Sequence, residues 1–209
     1  FYRSSRHLSD YIRYVITEKG ESAWIAQRNG RTKDGNDVTD QGIIKMFCMS
    51  CAEDKIKAID DLHIVPIAVS YEWEPCDVLK TLELYESQFS KYTKKPGEDL
   101  NSILTGIVQE KGRVHFELCE PLSYAELSKF DGLTNNDYHK QVARLIDRRI
   151  RAAYRLYPNN YIAYDLRYGT TKYKHCYTVA EREAFLKRLQ TLEQYDTCDI
   201  DKLKDIFLG

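Results

Sequence analysis

The sequence lacks a surplus of either charge: 31 Lys and Arg stand against 32 Asp and Glu in 209 residues, a net charge of −1. That balance excludes bulk electrostatic attraction to nucleic acid or acidic lipid, so any anion must be met by local clustering. Long apolar runs are missing as well. The longest, residues 64–69, falls far short of the roughly 20 residues that cross a bilayer. No glycine-rich loop ends in the Lys-Ser or Lys-Thr pair of a P-loop, and no dinucleotide fingerprint is present. Of the six cysteines only Cys48 and Cys51 form a CxxC pair, with neither a second pair nor two suitably spaced histidines to complete a zinc site. No metal site is expected. The cysteines read as small buried hydrophobes of a reducing, cytoplasmic compartment.

What is there is enough for a core: 43% of the residues are hydrophobic, while 30% are charged and the mean hydropathy is −0.56. Helical spacing of Leu8, Tyr11, Ile12, Val15 and Ile16 predicts a helix over 4–19, ended by Gly20. Residues 21–26 read as a strand, 42–52 as a helix, and 64–71 as a strand buried on both faces. Pro66 within that run implies a bulge, an edge or a strand start. Helices over 77–88 and 100–110 and a strand over 112–121 follow. Alternation of strands and helices predicts an α/β fold, a partly parallel sheet flanked by helices.

The stretch 24–45, WIAQRNGRTKDGNDVTDQGIIK, carries the most chemistry. An apolar segment runs into a loop holding Arg28, Gly30, Arg31, Thr32 and Lys33, and a helix begins near Thr39 or Asp40. Glycine lets a phosphate approach the main chain, arginine offers a planar fork to two phosphate oxygens, and a helix start presents unpaired N–H groups. The same residues also suit a solvated connection. Lys45 reads either as a phosphate contact reaching back to the loop or as a solvated helix lysine.

GRTKDG at 30–35, preceded by a hydrophobic strand and followed by GIIKM, resembles the third motif block of the glycerophospholipid acyltransferases. IVPIAVSYEWEP at 64–75, with Pro66, resembles the fourth block of the same family, and the order and spacing of the two agree. The resemblance covers roughly residues 10–165. It implies transfer of an acyl group from acyl-CoA or acyl-carrier protein to glycerol 3-phosphate or a lysophospholipid. Arg31 would then hold the acceptor phosphate, supported by Arg28 and Lys33, with Gly30 allowing close approach and Pro66 shaping a pocket. In that family a His-x4-Asp pair upstream of the third block is the catalytic unit. None of His7, His63, His115, His139 and His175 has Asp five positions later, so no catalytic residue is assigned. The chain is expected to be the carboxy-terminal part of an acyltransferase, incomplete at its amino terminus and inactive alone. Where the family carries a glutamate before Gly-Arg, this chain has Arg28 and Asn29. A non-catalytic lipid-binding or interaction module on the same scaffold is the alternative.

Two further basic features stand out. Lys91, Lys94 and Lys95 cluster beside Pro96 and Gly97 in a loop suited to a solvated turn, to coenzyme A phosphates or to an anionic membrane. Over 136–157 a regular helix is predicted, with Arg144, Arg148, Arg151 and Arg155 in one stripe opposite Val142, Ile146, Ile150, Ala153 and Tyr157. The arginines suit a solvated face or the headgroups of a membrane to which the protein is peripheral. Domains are expected at 1–168 and, as a helical extension with helices over 178–194 and 199–208, at 169–209.

Overall fold

The computed structural model describes residues 2–28, 36 and 38–209. Among them the order is α1 (Tyr2–Thr17), α2 (Gln41–Cys48), α3 (Lys55–Asp60), β1 (Ile67–Tyr71), α4 (Asp77–Ser87), α5 (Glu98–Val108), β2 (Val114–Leu118), α6 (Tyr124–Leu127), α7 (Asn135–Ala153), α8 (Pro158–Arg167), α9 (Val179–Gln190) and α10 (Ile200–Phe207), with short 3-10 turns between some of them. The described residues are mostly helical, and their sheet is one antiparallel pair, β1 with β2. This corrects the expected partly parallel sheet to an α-rich arrangement. Residues 21–26 are exposed and belong to no helix or strand, with Trp24 79% exposed. A segment without a neighbouring strand leaves its backbone groups to water and makes no sheet.

The register of the pair is set by Glu72 N donating to Arg113 O and Cys119 N to Pro66 O, each at 2.9 Å. Pro66 therefore stands at the strand start, where its missing N–H removes no ladder bond. Nor is β1 buried on both faces: Ala68 and Ser70 are inside while Tyr71 is exposed, the alternation of a strand with one wet side. Gly112, at φ +60°, enters β2 where a Cβ would come within 2.6 Å of Glu72 Oε2, so glycine is required.

Contacts divide the chain into two compact units, Phe1–Ala68 with Phe116–Tyr154, and Val69–His115 with Arg155–Gly209. The expected boundary at 168/169 falls inside the second unit, where α8 packs on α9. In the first unit, α1, α2, α3 and α7 meet on Ile12, Ile44, Phe47, Ile59, Tyr138, Val142 and Ile146. Side chains start three of its helices by accepting the free N-terminal amides: Asp40 for α2, Asp54 for α3 and Thr134 for α7. Arg13 pins α1 across its neighbours, donating to Ser50 Oγ at 2.8 Å, Asp61 Oδ2 at 2.8 Å and the Ala58 carbonyl at 2.6 Å.

The second unit is built on Leu189, Leu192 and Leu203 with Val78, Leu82 and Phe207 around them. Its α9 begins with the Thr178–Glu181 capping box that the sequence announces, and Arg188 from α9 forks onto Asp77 of α4 at 2.6 and 3.0 Å.

Candidate functional site

The loop between Gln27 and Thr39 is closed at its neck. The Gln27 carbonyl accepts from Asp40 N at 3.0 Å, and Gln27 Nε2 donates to Thr39 Oγ1 at 2.9 Å. Both strands of the neck then converge on Asp147 of α7. Its Oδ1 accepts from Thr39 N at 2.8 Å, Thr39 Oγ1 at 2.7 Å and Gln27 Nε2 at 3.1 Å. Asp147 is 5% exposed and Thr39 is buried beside it. A carboxylate taken out of water is tolerated only where donors replace its hydration, and here three do.

From that neck the chain passes directly into α2. Asp40 Oδ1 accepts from Gly42 N at 2.7 Å, and a Cβ on Gly42 would lie 3.1 Å from the same oxygen, so the glycine keeps the cap close. Gln41 ties the start of α2 to the start of α7 through Asn136, at 2.6 Å to its side-chain oxygen and 3.0 Å to its carbonyl. One α7 arginine reaches the loop itself: Arg151 donates to Asn36 Oδ1 at 3.2 Å.

The residues read from sequence fall as follows. Arg28 is half-buried just past the neck. Gly30, Arg31, Thr32 and Lys33 lie outside the described residues. Lys45 is exposed on α2, close enough to His139 that its charge adds to burial in lowering that imidazole's pKa, which keeps His139 neutral at pH 7. Pro66, buried, precedes β1. Arg144, Arg148 and Arg151 form an exposed stripe on α7. Arg155 leaves that stripe, a correction to the predicted helix over 136–157. The helix stops at Ala153 because Tyr154 turns extended, and α8 restarts with Pro158 in its first turn and Tyr157 as its cap. Arg155 belongs to the second unit, where its amide donates to Ser70 Oγ at 3.0 Å.

Asp147, Thr39 and Gln27 escaped the sequence reading. At about 100° per residue Asp147 falls on the border of the helix faces, between Ala143 and Ile150 on one side and Arg144 and Arg151 on the other, so the sequence pattern alone does not mark it as buried.

A second concave surface, of about 580 Å³, is lined by Arg13, Ser50, Cys51, Lys57, Asp61 and His63. Its charges are already spent: burial would raise the Asp61 pKa, but hydrogen bonds from Lys57 and Arg13 hold it below the usual carboxylate range. Burial pushes the thiols up, Cys48 to about 12 and Cys51 above its ordinary value with Glu53 adding to the effect. Both stay protonated at neutral pH, in keeping with small buried hydrophobes. Among the described residues no three His, Cys, Asp or Glu side chains are grouped to hold a metal ion.

Comparison of the chain with protein-family models, with curated proteins and with solved structures finds no match. Among the described residues no helix is long and apolar enough to cross a membrane.

Proposed function

We propose that this chain is the acceptor-binding part of an acyltransferase that moves an acyl group from acyl-CoA or acyl-carrier protein to glycerol 3-phosphate or lysophosphatidate in phospholipid synthesis. The supporting observation is the neck. A loop rich in glycine and cationic side chains is closed by main-chain and side-chain hydrogen bonds and anchored on a buried carboxylate, then opens into a capped helix. A merely solvated connection gains nothing from a buried charge at its base, whereas a phosphate loop gains from having its two ends held at a fixed separation.

In this reading Arg31 forks onto the acceptor phosphate, Arg28 and Lys33 add charge, and Gly30 clears the approach. Arg151, already in contact with Asn36, supplies a further cation from α7. Asp147 and Thr39 act as positioning residues behind the loop. Hydroxyl activation belongs to a His-x4-Asp pair that this sequence does not carry, so the chain binds acceptor without transferring to it. The protein is cytoplasmic and peripheral to an anionic membrane, takes no nucleic acid and needs no metal or other cofactor.

The test is equilibrium binding of glycerol 3-phosphate and lysophosphatidate to the chain, beside Arg31→Ala and with glycerol as the phosphate-free control. Saturable binding of both phosphates, weakened about 10- to 100-fold by the substitution, is expected from the loss of a charge-assisted pair. Absence of binding, or equal binding by the variant, overturns the assignment and favours the non-catalytic module, to which Asn29 in place of the family's glutamate also points.

A further inference from the structure

The spacing of Tyr161, Tyr164 and Tyr168 puts three tyrosines on one face of α8 and its end. Gly169, at φ +60°, then turns the chain, and the segment that follows packs back on the same helix. Asp165, only 4% exposed, locks that turn. Its Oδ1 accepts from Thr170 Oγ1 at 2.7 Å, and its Oδ2 from Tyr173 N at 3.1 Å and from the Tyr177 hydroxyl at 2.9 Å. The Tyr173 ring is thereby set against Tyr164, with centroids 5.0 Å apart and planes at 80°. Tyr168 backs Tyr164 at 4.6 Å, and Tyr161 backs Tyr173 at 5.2 Å. This aromatic corner faces water, Tyr164 being 37% and Tyr168 60% exposed.

A cation already stands in it. Lys172 Nζ lies 4.8 Å from the Tyr173 ring centroid and 5.2 Å from that of Tyr164. Exposed lysines elsewhere take carboxylates, Lys57 with Asp61 and Lys94 with Asp99. Among the described residues Lys172 pairs with none. Its charge is met by two rings, with the Asp165 carboxylate bound to the main chain of the same turn. The corner is therefore selective for positive charge: the quadrupoles of the rings attract it, and a fixed carboxylate close by repels an anion.

We propose that this corner is a binding site for a quaternary ammonium group, the trimethylammonium of a choline-type ligand, and that Lys172 is its displaceable cap. A primary ammonium on an exposed side chain is strongly hydrated and gives up N–H bonds to water when it sits against rings. A trimethylammonium has no N–H to lose, and its methyl groups carry the charge directly onto the aromatic faces. Asp165 holds the two walls in place before any ligand arrives, which lowers the ordering cost of binding. All of these residues belong to the second unit, and the site draws nothing from the acyltransferase assignment.

The experiment is an NMR titration of choline against wild type, Lys172→Ala and Tyr164→Leu, following the N-methyl protons, which ring currents move upfield. The neutral tert-butyl isostere of choline is the uncharged control. Choline should bind saturably, at least about threefold more tightly once Lys172 no longer competes, and at least about tenfold more weakly in Tyr164→Leu with the unfolding midpoint unchanged. Tyr168→Leu, at the more exposed position, should give a smaller loss and guards against misfolding of the first variant. Phosphatidylcholine vesicles are titrated in parallel. Pelleting of Lys172→Ala that is lost on adding Tyr164→Leu identifies a lipid headgroup as the source of the ammonium; choline binding without pelleting identifies a free small molecule. Three outcomes overturn the proposal: no saturable shift with either wild type or Lys172→Ala, equal affinity for the neutral isostere, or wild-type affinity in both folded tyrosine variants. No acyl transfer or phosphate binding enters the measurement, so failure of the phosphate-loop reading leaves its result standing.

Discussion

α7 and α5 carry the same kind of pattern and present it in opposite directions. In α7 the stripe through Val142, Leu145 and Ile146 is buried and the arginines face out. In α5 the stripe through Ile103, Leu104 and Ile107 faces out, and Ser102 and Gly106 approach Cys76. Periodicity defines a face; the small residues opposite decide whether that face or its reverse can come closer to a neighbour. α7 also buries one charged side chain, Asp147, beside its apolar positions.

The strongest way to break the comparison is at that buried carboxylate. Asp147→Ala strands the Thr39 amide, the Thr39 hydroxyl and the Gln27 amide, and should cost about 3–5 kcal/mol in urea unfolding, the scale for removing one partner of a buried charge network. A cost within the error of a surface substitution would show that the neck holds without it. Next comes the pair Ile146→Ala and Ile107→Ala. The first should lose about 2–4 kcal/mol by leaving a cavity, and the second less than about 0.5 kcal/mol; similar losses at both positions would mean α5 is not mounted outward.

Carboxylates sharpen the contrast through pH. In the second unit Glu72 is held below the usual carboxylate range, chiefly by the Arg113 side chain at 2.8 and 3.0 Å, against the effect of its burial. Its folded pKa lies below the unfolded value of about 4.5, so its contribution is complete above that value and is lost as pH falls through the lower folded one. Arg113→Ala should therefore flatten the loss of stability below about pH 4.5, and an unchanged acid limb would remove this pair from the account. The smallest effect belongs to the outer face of α7, where Arg144→Gln and Arg148→Gln should each change stability by less than about 0.5 kcal/mol.

Much of the helical framework was legible. Asp40 at the start of α2, the Thr178–Glu181 box and the stripe of α7 all announce themselves through local chemistry, which neighbours in sequence determine. The sheet was not, because pairing is non-local. Residues 21–26 have strand composition, yet a strand exists only where a partner satisfies its edge, and composition does not say whether one is present. The helical pattern in the sequence runs four residues past the end of α7, because helix formers continue up to Arg155 while Pro158 restrains the chain before it. At the site, the loop could be read from its glycines and arginines, but its anchor lies 108 residues beyond Thr39 on another helix. Only the folded chain brings Asp147 to the neck.

The most direct test of that neck as the foundation of a phosphate loop is the glycerol 3-phosphate affinity of Asp147→Asn, measured beside wild type and Thr39→Ser. Asn keeps the volume and loses the charge, while Ser keeps the hydroxyl donor. If the buried carboxylate shapes the loop, Asp147→Asn should weaken glycerol 3-phosphate binding at least about tenfold, or about 1.4 kcal/mol, while the protein remains folded and Thr39→Ser retains near-wild-type affinity. Wild-type affinity in folded Asp147→Asn would contradict the account.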